Sequence, residues 1–377
     1  MIKSEEQILI SDMANAFARE NLRPHAERWD REKMMDRSTL SALGALGFGG
    51  IYTDVEFGGS GLGRLDAVLI FEQLSKGCIS HSTFLSIHNM ATWIIDRFAN
   101  AELKERFVPS LVTGTKIASY CMTEPGAGSD AASLKTRAVK SGDSYVLNGS
   151  KVFISGAGFS DVYVVMARTA DTGSQGISTF VVEKETPGLS FGKNEQKMGW
   201  RAQPTAMVMF DDCEIPISNR IGDEGNGFKY AMAGLDGGRL NIAACSLGGA
   251  QDAMDRALEY ARQRSQFGRS ISEFQAIQFK LADMETELQA ARSLLYEAAS
   301  RLDNKTPDAS RFCAMAKRFV TDVGFRVANE ALQIHGGYGY LADYGVERIV
   351  RDLRVHQILE GTNEIMRVII SRGILGG

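Results

Sequence analysis

The sequence predicts a multidomain α+β chain: an N-terminal all-α domain over residues 1–115, a middle antiparallel β-barrel domain over 116–225, and a C-terminal four-helix bundle over 226–377. Three observations carry this expectation. Apolar residues recur at helical spacing in the first and last thirds of the chain. Between them, short runs alternate apolar with polar, and turn signals separate those runs. With 377 residues the chain is long enough for two or three well-buried cores.

In the first third, Ser4-Glu5-Glu6-Gln7 has the form of a capping box, and Leu9, Met13 and Phe17 follow at every fourth position. Pro24 interrupts that pattern. A second short helix is predicted over 40–46, running into glycine-rich 47–50. The loop 54–63 precedes a third helix with Leu65, Val68, Leu69 and Leu74 on one side. Asn100 can cap a further helix that ends near Thr113-Gly114.

From Lys116 the period changes to alternation. Residues 116–123 read as a strand, and 136–140 and 145–147 flank a hairpin turn at Ser141-Gly142-Asp143. Asn148-Gly149 reads as a second turn before 151–155. Runs at 162–168, 177–183 and 205–210 continue a series typical of an antiparallel barrel or sandwich. Four long helical patterns close the chain, over 228–263, 272–304, 309–335 and 349–374. A 30-residue helix spans about 45 Å, so four in succession are read as a bundle.

Net charge is −4 with no block of like charges, so nucleic acid is not an expected partner. No apolar run approaches the roughly 20 residues of a membrane span, so no membrane insertion is expected. Met1-Ile2-Lys3-Ser4-Glu5-Glu6 carries neither a signal-peptide core nor an Arg-rich transit pattern. The cysteines Cys78, Cys121, Cys213, Cys245 and Cys313 are scattered, without C-x-x-C spacing or paired histidines. Reduced thiols, a cytoplasmic setting and no structural metal are the expectations.

Chemistry concentrates at Gln357-Ile-Leu-Glu-Gly-Thr-Asn-Glu-Ile-Met-Arg367. Glu360 lies between the apolar pair Ile358-Leu359 and Gly361-Thr362-Asn363. A carboxylate among apolar neighbours has its charged form disfavoured, so its pKa rises toward that of a general base working at neutral pH. A carboxylate near a helix N-terminus is also favoured electrostatically whatever its function, and both readings stand at this point. The Pro/Gly loop over 120–130 can cradle a polar ring edge or a phosphate, or serve as a plain surface turn. No βαβ unit surrounds it, so it is not a dinucleotide fingerprint. Arg262 and Arg264 end a helix, where cations are favoured in any case, and Arg264 beside a glycine turn can bind pyrophosphate. Gly336-Gly337 would cap the third bundle helix after His335.

Taken jointly, residues 120–130, Arg264-Ser-Gln-Phe-Gly268, residues 333–337 and Glu360-Gly-Thr-Asn-Glu364 resemble the acyl-CoA dehydrogenase family in order and spacing, over nearly the whole chain. The resemblance implies a homotetramer with one FAD per subunit, an acyl-CoA substrate and an electron-transferring flavoprotein as electron acceptor. It also implies that a base removes the α-proton of the thioester while the β-hydride passes to flavin N5, giving the 2,3-enoyl-CoA. Matched by position, Tyr120, Cys121, Met122, Thr123, Glu124, Pro125, Gly126, Ala127, Gly128 and Ser129 would line the flavin, with Ser129 reaching the CoA side. Phe153, Ile154 and Ser155 stand where relatives often carry Trp-x-Thr. Arg264, Phe274 and Gln275, with Gln333, Ile334, His335, Gly336 and Gly337, would contact the FAD of a neighbouring subunit. Thr362, Asn363 and Glu364 resemble a segment that binds the diphosphate end of FAD.

Asp236, Gly237, Gly238, Arg239 and Arg372 match acyl-CoA contacts. Some relatives carry the base at the position of Gly238, which has no side chain, so the resemblance assigns it to Glu360. The stretches 147–158, 234–243 and 351–357 resemble members that act on short branched acyl groups, and Gly237-Gly238 would leave room for a methyl branch. An oxidase or monooxygenase on the same scaffold and a non-catalytic flavin-binding module are the alternatives.

Overall fold

A computed structural model describes residues 3–376. Met1 and Ile2, on which the reading of the N-terminus partly rests, lie outside the described residues. Six α-helices come first: α1 (Glu5–Phe17), α2 (Ala26–Glu32), α3 (Arg37–Ala45), α4 (Arg64–Ser75), α5 (Ile79–Phe98) and α6 (Ala101–Val112). The capping box forms as expected. The Gln7 N–H donates to the Ser4 hydroxyl and the Ser4 N–H to the Gln7 side chain, both at 3.2 Å. Phe17 is buried as expected, but Leu9 and Met13 point outward and Ala14 packs inward instead.

Helix α5 has no counterpart in the sequence reading. It interleaves its apolar residues with buried Ser82, Thr83, His88, Asn89 and Thr92, which blurs a hydrophobic stripe. Most of these polar groups are satisfied internally. His88 accepts from the Ala118 N–H at 3.0 Å and donates to the Leu111 carbonyl at 3.0 Å, while the Asn89 amide ties Phe48 and Ile51.

Eight strands follow: β1 (Ala118–Cys121), β2 (Arg137–Ser141), β3 (Ser144–Ser155), β4 (Val162–Arg168), β5 (Ile177–Glu183), β6 (Leu189–Phe191), β7 (Thr205–Pro216) and β8 (Arg220–Ile221). They form one sheet in the order β6-β7-β3-β2-β4-β5-β8, with β1 against β4. Pairing is antiparallel except for β1–β4 and the single β2–β4 contact at Arg137 and Arg168. Asn148-Gly149 is a bulge inside β3, not a turn: the register against β7 shifts there, and the Asn148 side chain exchanges two 2.9 Å hydrogen bonds with Asp212. An added Cβ at Gly149 would lie 2.6 Å from the Thr136 hydroxyl, so close approach requires glycine.

The C-terminal third contains α7 (Gly227–Gln263), the small hairpin β9 (Ser265–Gln266) and β10 (Arg269–Ser270), α8 (Gln275–Asp303), α9 (Ala309–His335), α10 (Val346–Arg354) and α11 (Asn363–Leu375). The fourth expected helix, 349–374, is therefore two helices. Glu360 (φ 53) and Gly361 (φ 90) leave the helical region between them, and Thr362 restarts the helix by accepting the Ile365 N–H at 3.3 Å. The main core lies where small residues of α7, Ala243 to Ala250, pack against α4, α5 and α9.

Candidate active site

The break between α10 and α11 is held from several sides. His356 accepts the Trp200 indole N–H at 3.1 Å and therefore presents its other nitrogen, 2.6 Å from Ser246 on α7, as a donor. Burial depresses its pKa to about 3, so the ring is neutral. Beyond it, the Glu360 carbonyl accepts from Arg239 Nε at 3.3 Å and the Gly361 carbonyl from Lys317 Nζ at 2.7 Å. Asn363 donates to Asp322 at 2.7 Å and to Thr321 at 3.0 Å, which docks the start of α11 on α9.

As a residue Glu360 is half-buried, but its Oε2 is sealed from solvent and has no hydrogen-bond partner. The carboxylate lies over Gly238: a Cβ there would sit 2.5 Å from Oε2 and 3.0 Å from Met90 Sδ. Burial pushes its pKa up to about 7, while Lys317 and Arg239 pull it down. It also helps to raise the pKa of the buried Tyr120 and Tyr52 phenols, after burial itself. A carboxylate with one oxygen sealed and a pKa poised near neutrality can take a proton from carbon.

The glycine pair is not open space. Gly237 lies beneath the Arg64 guanidinium, where a Cβ would be 2.1 Å from Nη1, and Gly238 lies beneath Glu360. The expected room for a methyl branch is thus already filled. Arg64 is held there by the rings of Tyr52 and Trp93, at 3.6 and 4.8 Å. Asp236 is partly buried and held by Arg239 at 2.7 Å and Ser310 at 3.1 Å.

The loop after β1 divides into a structural and an open part. Cys121 and Met122 are buried, and Tyr120 donates to Met122 Sδ at 3.1 Å. The Glu124 side chain is turned inward, contrary to a flavin-lining role: it accepts from Lys151 at 2.7 Å and from the Lys135 and Thr136 N–H groups at 2.6 and 2.9 Å. Ala127 closes the turn on the Glu124 backbone. Pro125, Gly126, Gly128 and Ser129 are exposed, and a Cβ at either glycine would meet nothing within 4 Å. The Thr123 and Ser129 hydroxyls have no partner among the described residues.

Beside this loop, Phe153 sits in a β3 bulge at φ 58 and is 68 % exposed, a strained arrangement for an aromatic residue. Ile154 is buried, and the Ser155 hydroxyl is engaged by Gln203. An exposed ring, free hydroxyls and uncovered glycines make a surface that fits a planar, polar cofactor.

Lys151 is completely buried, and among the described residues Glu124 is its one ionic partner. Lys151→Met leaves a buried carboxylate without its counter-ion, so stability should fall by about 3–5 kcal/mol. The loss should be smaller in the Glu124→Gln/Lys151→Met double variant. Urea unfolding followed by circular dichroism measures both, and a Lys151→Met midpoint equal to wild type would show the pair is not needed.

The remaining predicted residues stand apart. Arg264 caps α7 roughly 40 Å along the helix from Gly238 at 1.5 Å per residue. There it lies over Tyr338, while His335 stacks on Tyr260 at 4.5 Å, and Gln275, Gln333, Gly336 and Gly337 are exposed. Ile334 is buried, and Phe274 packs edge-on against Phe267, which is 95 % exposed. Thr362 caps α11 as an acceptor, Asn363 docks it on α9, and only Glu364 of that trio is exposed. Arg372 is exposed in the last turn of α11, without an ion pair among the described residues.

The site residues missing from the sequence reading are Lys317, Arg64, Tyr52 and Met90. Lys317 carried one signal, a lysine in register with Cys313, Val320 and Gly324 on the buried face of α9. A groove of about 770 Å³ lies elsewhere, between α4 and α8, and its buried Glu72 is already paired with Arg292 and Tyr296 at 2.9 and 2.7 Å.

A carboxylate poised near neutrality and an uncovered polar loop are features found together in enzymes that move protons at carbon with the help of a bound planar group. The family models for the N-terminal, middle and C-terminal domains of acyl-CoA dehydrogenase match residues 4–115, 119–213 and 225–375. The chain belongs to the acyl-CoA dehydrogenase family and is an oxidoreductase. It is 54% identical to mitochondrial isobutyryl-CoA dehydrogenase of Bos taurus over 99% of this chain and 89% of that protein. A solved structure named for the electron transferring flavoprotein of Acidaminococcus fermentans contains a chain 44% identical to this one, with TM-score 0.98 and full coverage of both. PigA with FAD and proline is 34% identical at TM-score 0.97, again over the whole of both chains. Among the described residues no helix is long and apolar enough to cross a membrane.

Proposed function

We propose that this chain dehydrogenates a short, branched acyl-CoA to its 2,3-enoyl-CoA, with Glu360 as the base that removes the α-proton. The observation that carries this is the sealed, unpartnered Glu360 Oε2 over Gly238, with its pKa raised to about 7. Its own N–H has no acceptor among the described residues, so it is available to a thioester oxygen on which negative charge develops. Arg239 and Asp236 hold the helix side of the pocket, and Tyr120 and Met90 exclude water from the carboxylate.

FAD is the cofactor, and when bound it supplies the hydride acceptor. Thr123, Gly126, Gly128, Ser129 and Phe153 would hold its ring end. Arg264, Phe274, Gln275 and residues 333–337 are too far along α7 and α9 to share that site within one chain. They serve a neighbouring subunit's cofactor in a homotetramer, and the exposed Phe267 is suited to burial there. An electron-transferring flavoprotein is the electron acceptor, a reading supported by the Acidaminococcus fermentans neighbour. All five cysteines are free and buried, which supports a cytoplasmic, reducing setting.

The acyl preference rests on the isobutyryl-CoA dehydrogenase relative. Anaerobic bleaching of bound flavin by C3 to C8 acyl-CoAs should give isobutyryl-CoA a kcat/KM about 10–200-fold above hexanoyl-CoA. A faster reaction with hexanoyl- or octanoyl-CoA would overturn the branched-chain assignment, and no bleaching by any acyl-CoA would overturn the dehydrogenase reading of the site.

A further inference from the structure

Lys317 is fully buried in α9, at a register position where Cys313, Val320 and Gly324 call for an apolar side chain. A buried ammonium is costly unless its donors are used. Two are: one reaches the Gly361 carbonyl at 2.7 Å, the other Asn363 Oδ1 at 3.0 Å. Docking of α11 does not require the lysine, because Asn363 is already bound to α9 through Thr321, Asp322 and the Arg318 carbonyl. What Lys317 adds is its grip on Gly361. One residue earlier, Arg239 of α7 grips the carbonyl of Glu360 at 3.3 Å. Two cations from two helices thus hold successive carbonyls of a pair whose φ values are 53 and 90. Peptide planarity turns each grip into a constraint on the adjoining ψ, and so on the direction of the Glu360 side chain.

We propose that Lys317 is a positioning residue for Glu360: with Arg239 it clamps the left-handed Glu360–Gly361 backbone and thereby holds the carboxylate over Gly238. This rests on Glu360 being the base. Lys317 also acts through its charge, opposing the effect of burial on the Glu360 carboxylate. The other groups facing Glu360 are Arg239 with its partner Asp236 and Cys245, all on α7, Tyr120 on β1 and Tyr52 before α4. Asp322 on α9 and Glu364 on α11 act on Lys317 in turn. Removing the ammonium leaves Arg239 as the one remaining cation acting on the carboxylate among the described residues, so Glu360 should ionise at higher pH.

The test is anaerobic single-turnover bleaching of the FAD-loaded enzyme by isobutyryl-CoA between pH 6 and 9. Lys317→Met should move the acid limb of the rate upward by about one pH unit and lower the limiting rate about 10–100-fold, with apparent KM within about threefold. Lys317→Arg keeps the cation and should restore the wild-type limb. Thr321→Val, which removes the hydroxyl's bonds to Asn363 and to the Lys317 backbone carbonyl but leaves both cations in place, should leave the limb where it is. A wild-type limb and rate in Lys317→Met overturns the proposal, as does a limb moved equally by Thr321→Val. Should Lys317→Met yield no folded holoenzyme, Lys317→Gln is read by the same criteria. Failure of both neutral variants to fold while Thr321→Val folds makes the lysine structural and also overturns the proposal. Glu360→Gln, measured alongside, separates the two readings: if it still bleaches, the base has been misassigned, whatever Lys317 does.

Discussion

Glu360→Gln slows anaerobic flavin bleaching about 10³–10⁴-fold while the variant still folds and retains FAD. The amide fills the same volume over Gly238 but cannot accept a proton. Wild-type kcat/KM should rise with pH through about 7, where Glu360 ionises, and the residual rate of the variant should lack that limb. The same substitution should change stability in the opposite sense. Burial raises the Glu360 pKa from 4.5 to about 7, so between those values the folded chain binds more protons than the unfolded chain. Stability therefore falls as pH rises through this window, and above it the full cost of the buried charge is present. Glu360→Gln removes that cost. It should unfold at higher denaturant than wild type at pH 8, by about 1–3 kcal/mol, and close to wild type near pH 4.5. Residual bleaching within about tenfold of wild type at pH 8 would move the base to another residue. Equal stabilities at pH 8 would contradict a buried, charged Glu360.

Much of this arrangement is visible in the residues alone, and the exceptions share a physical cause. Ser4 and Asn100 announce their helices because a cap needs only its own neighbours in sequence. The alternation of β4 and β5 is likewise local. Helix α5 is hidden because its serines, histidine and asparagine are satisfied by groups distant in sequence, such as Phe48 and Leu111. The gap between α10 and α11 is hidden because the apolar period resumes beyond it, leaving Gly361 as the main local sign of a break. Asn148-Gly149 misleads for a related reason: the dipeptide that makes a hairpin turn also makes a bulge, and only the partner strand decides. Within the site, Glu360 stands out because its neighbours in sequence are apolar and glycine. Lys317 does not, since a lysine is normally solvated and only the packed bundle makes this one a buried donor. The space over Gly237 and Gly238 was equally unreadable, because an absent side chain does not say what fills its place.

Gly238→Ala is expected to leave the folded chain as stable as wild type and to slow proton abstraction about 10²-fold. Alanine in the middle of a long helix is normally favoured over glycine by about 0.5–1 kcal/mol. At this position the added methyl would lie 2.5 Å from Glu360 Oε2, 3.1 Å from its Cδ and 3.0 Å from Met90 Sδ. All three atoms are near the ends of side chains that can swing aside, so the backbone need not move. At Gly248, ten residues along the same helix, a methyl would meet the Glu72 carbonyl at 2.0 Å, and there the substitution would push α7 off α4. At Gly238 the displacement falls instead on the carboxylate. Glu360 would keep its burial and its cationic neighbours, but its oxygen would leave the position from which it reaches the substrate carbon. The loss should appear in kcat more than in KM, since Arg239 and the open loop after β1 are untouched. Thermal melting and single-turnover bleaching of the same preparation separate the two effects. A wild-type rate in Gly238→Ala would mean that the carboxylate does not act from its place over Gly238, and a large drop in melting temperature would mean that this glycine is needed for helix packing and not for the placement of the base.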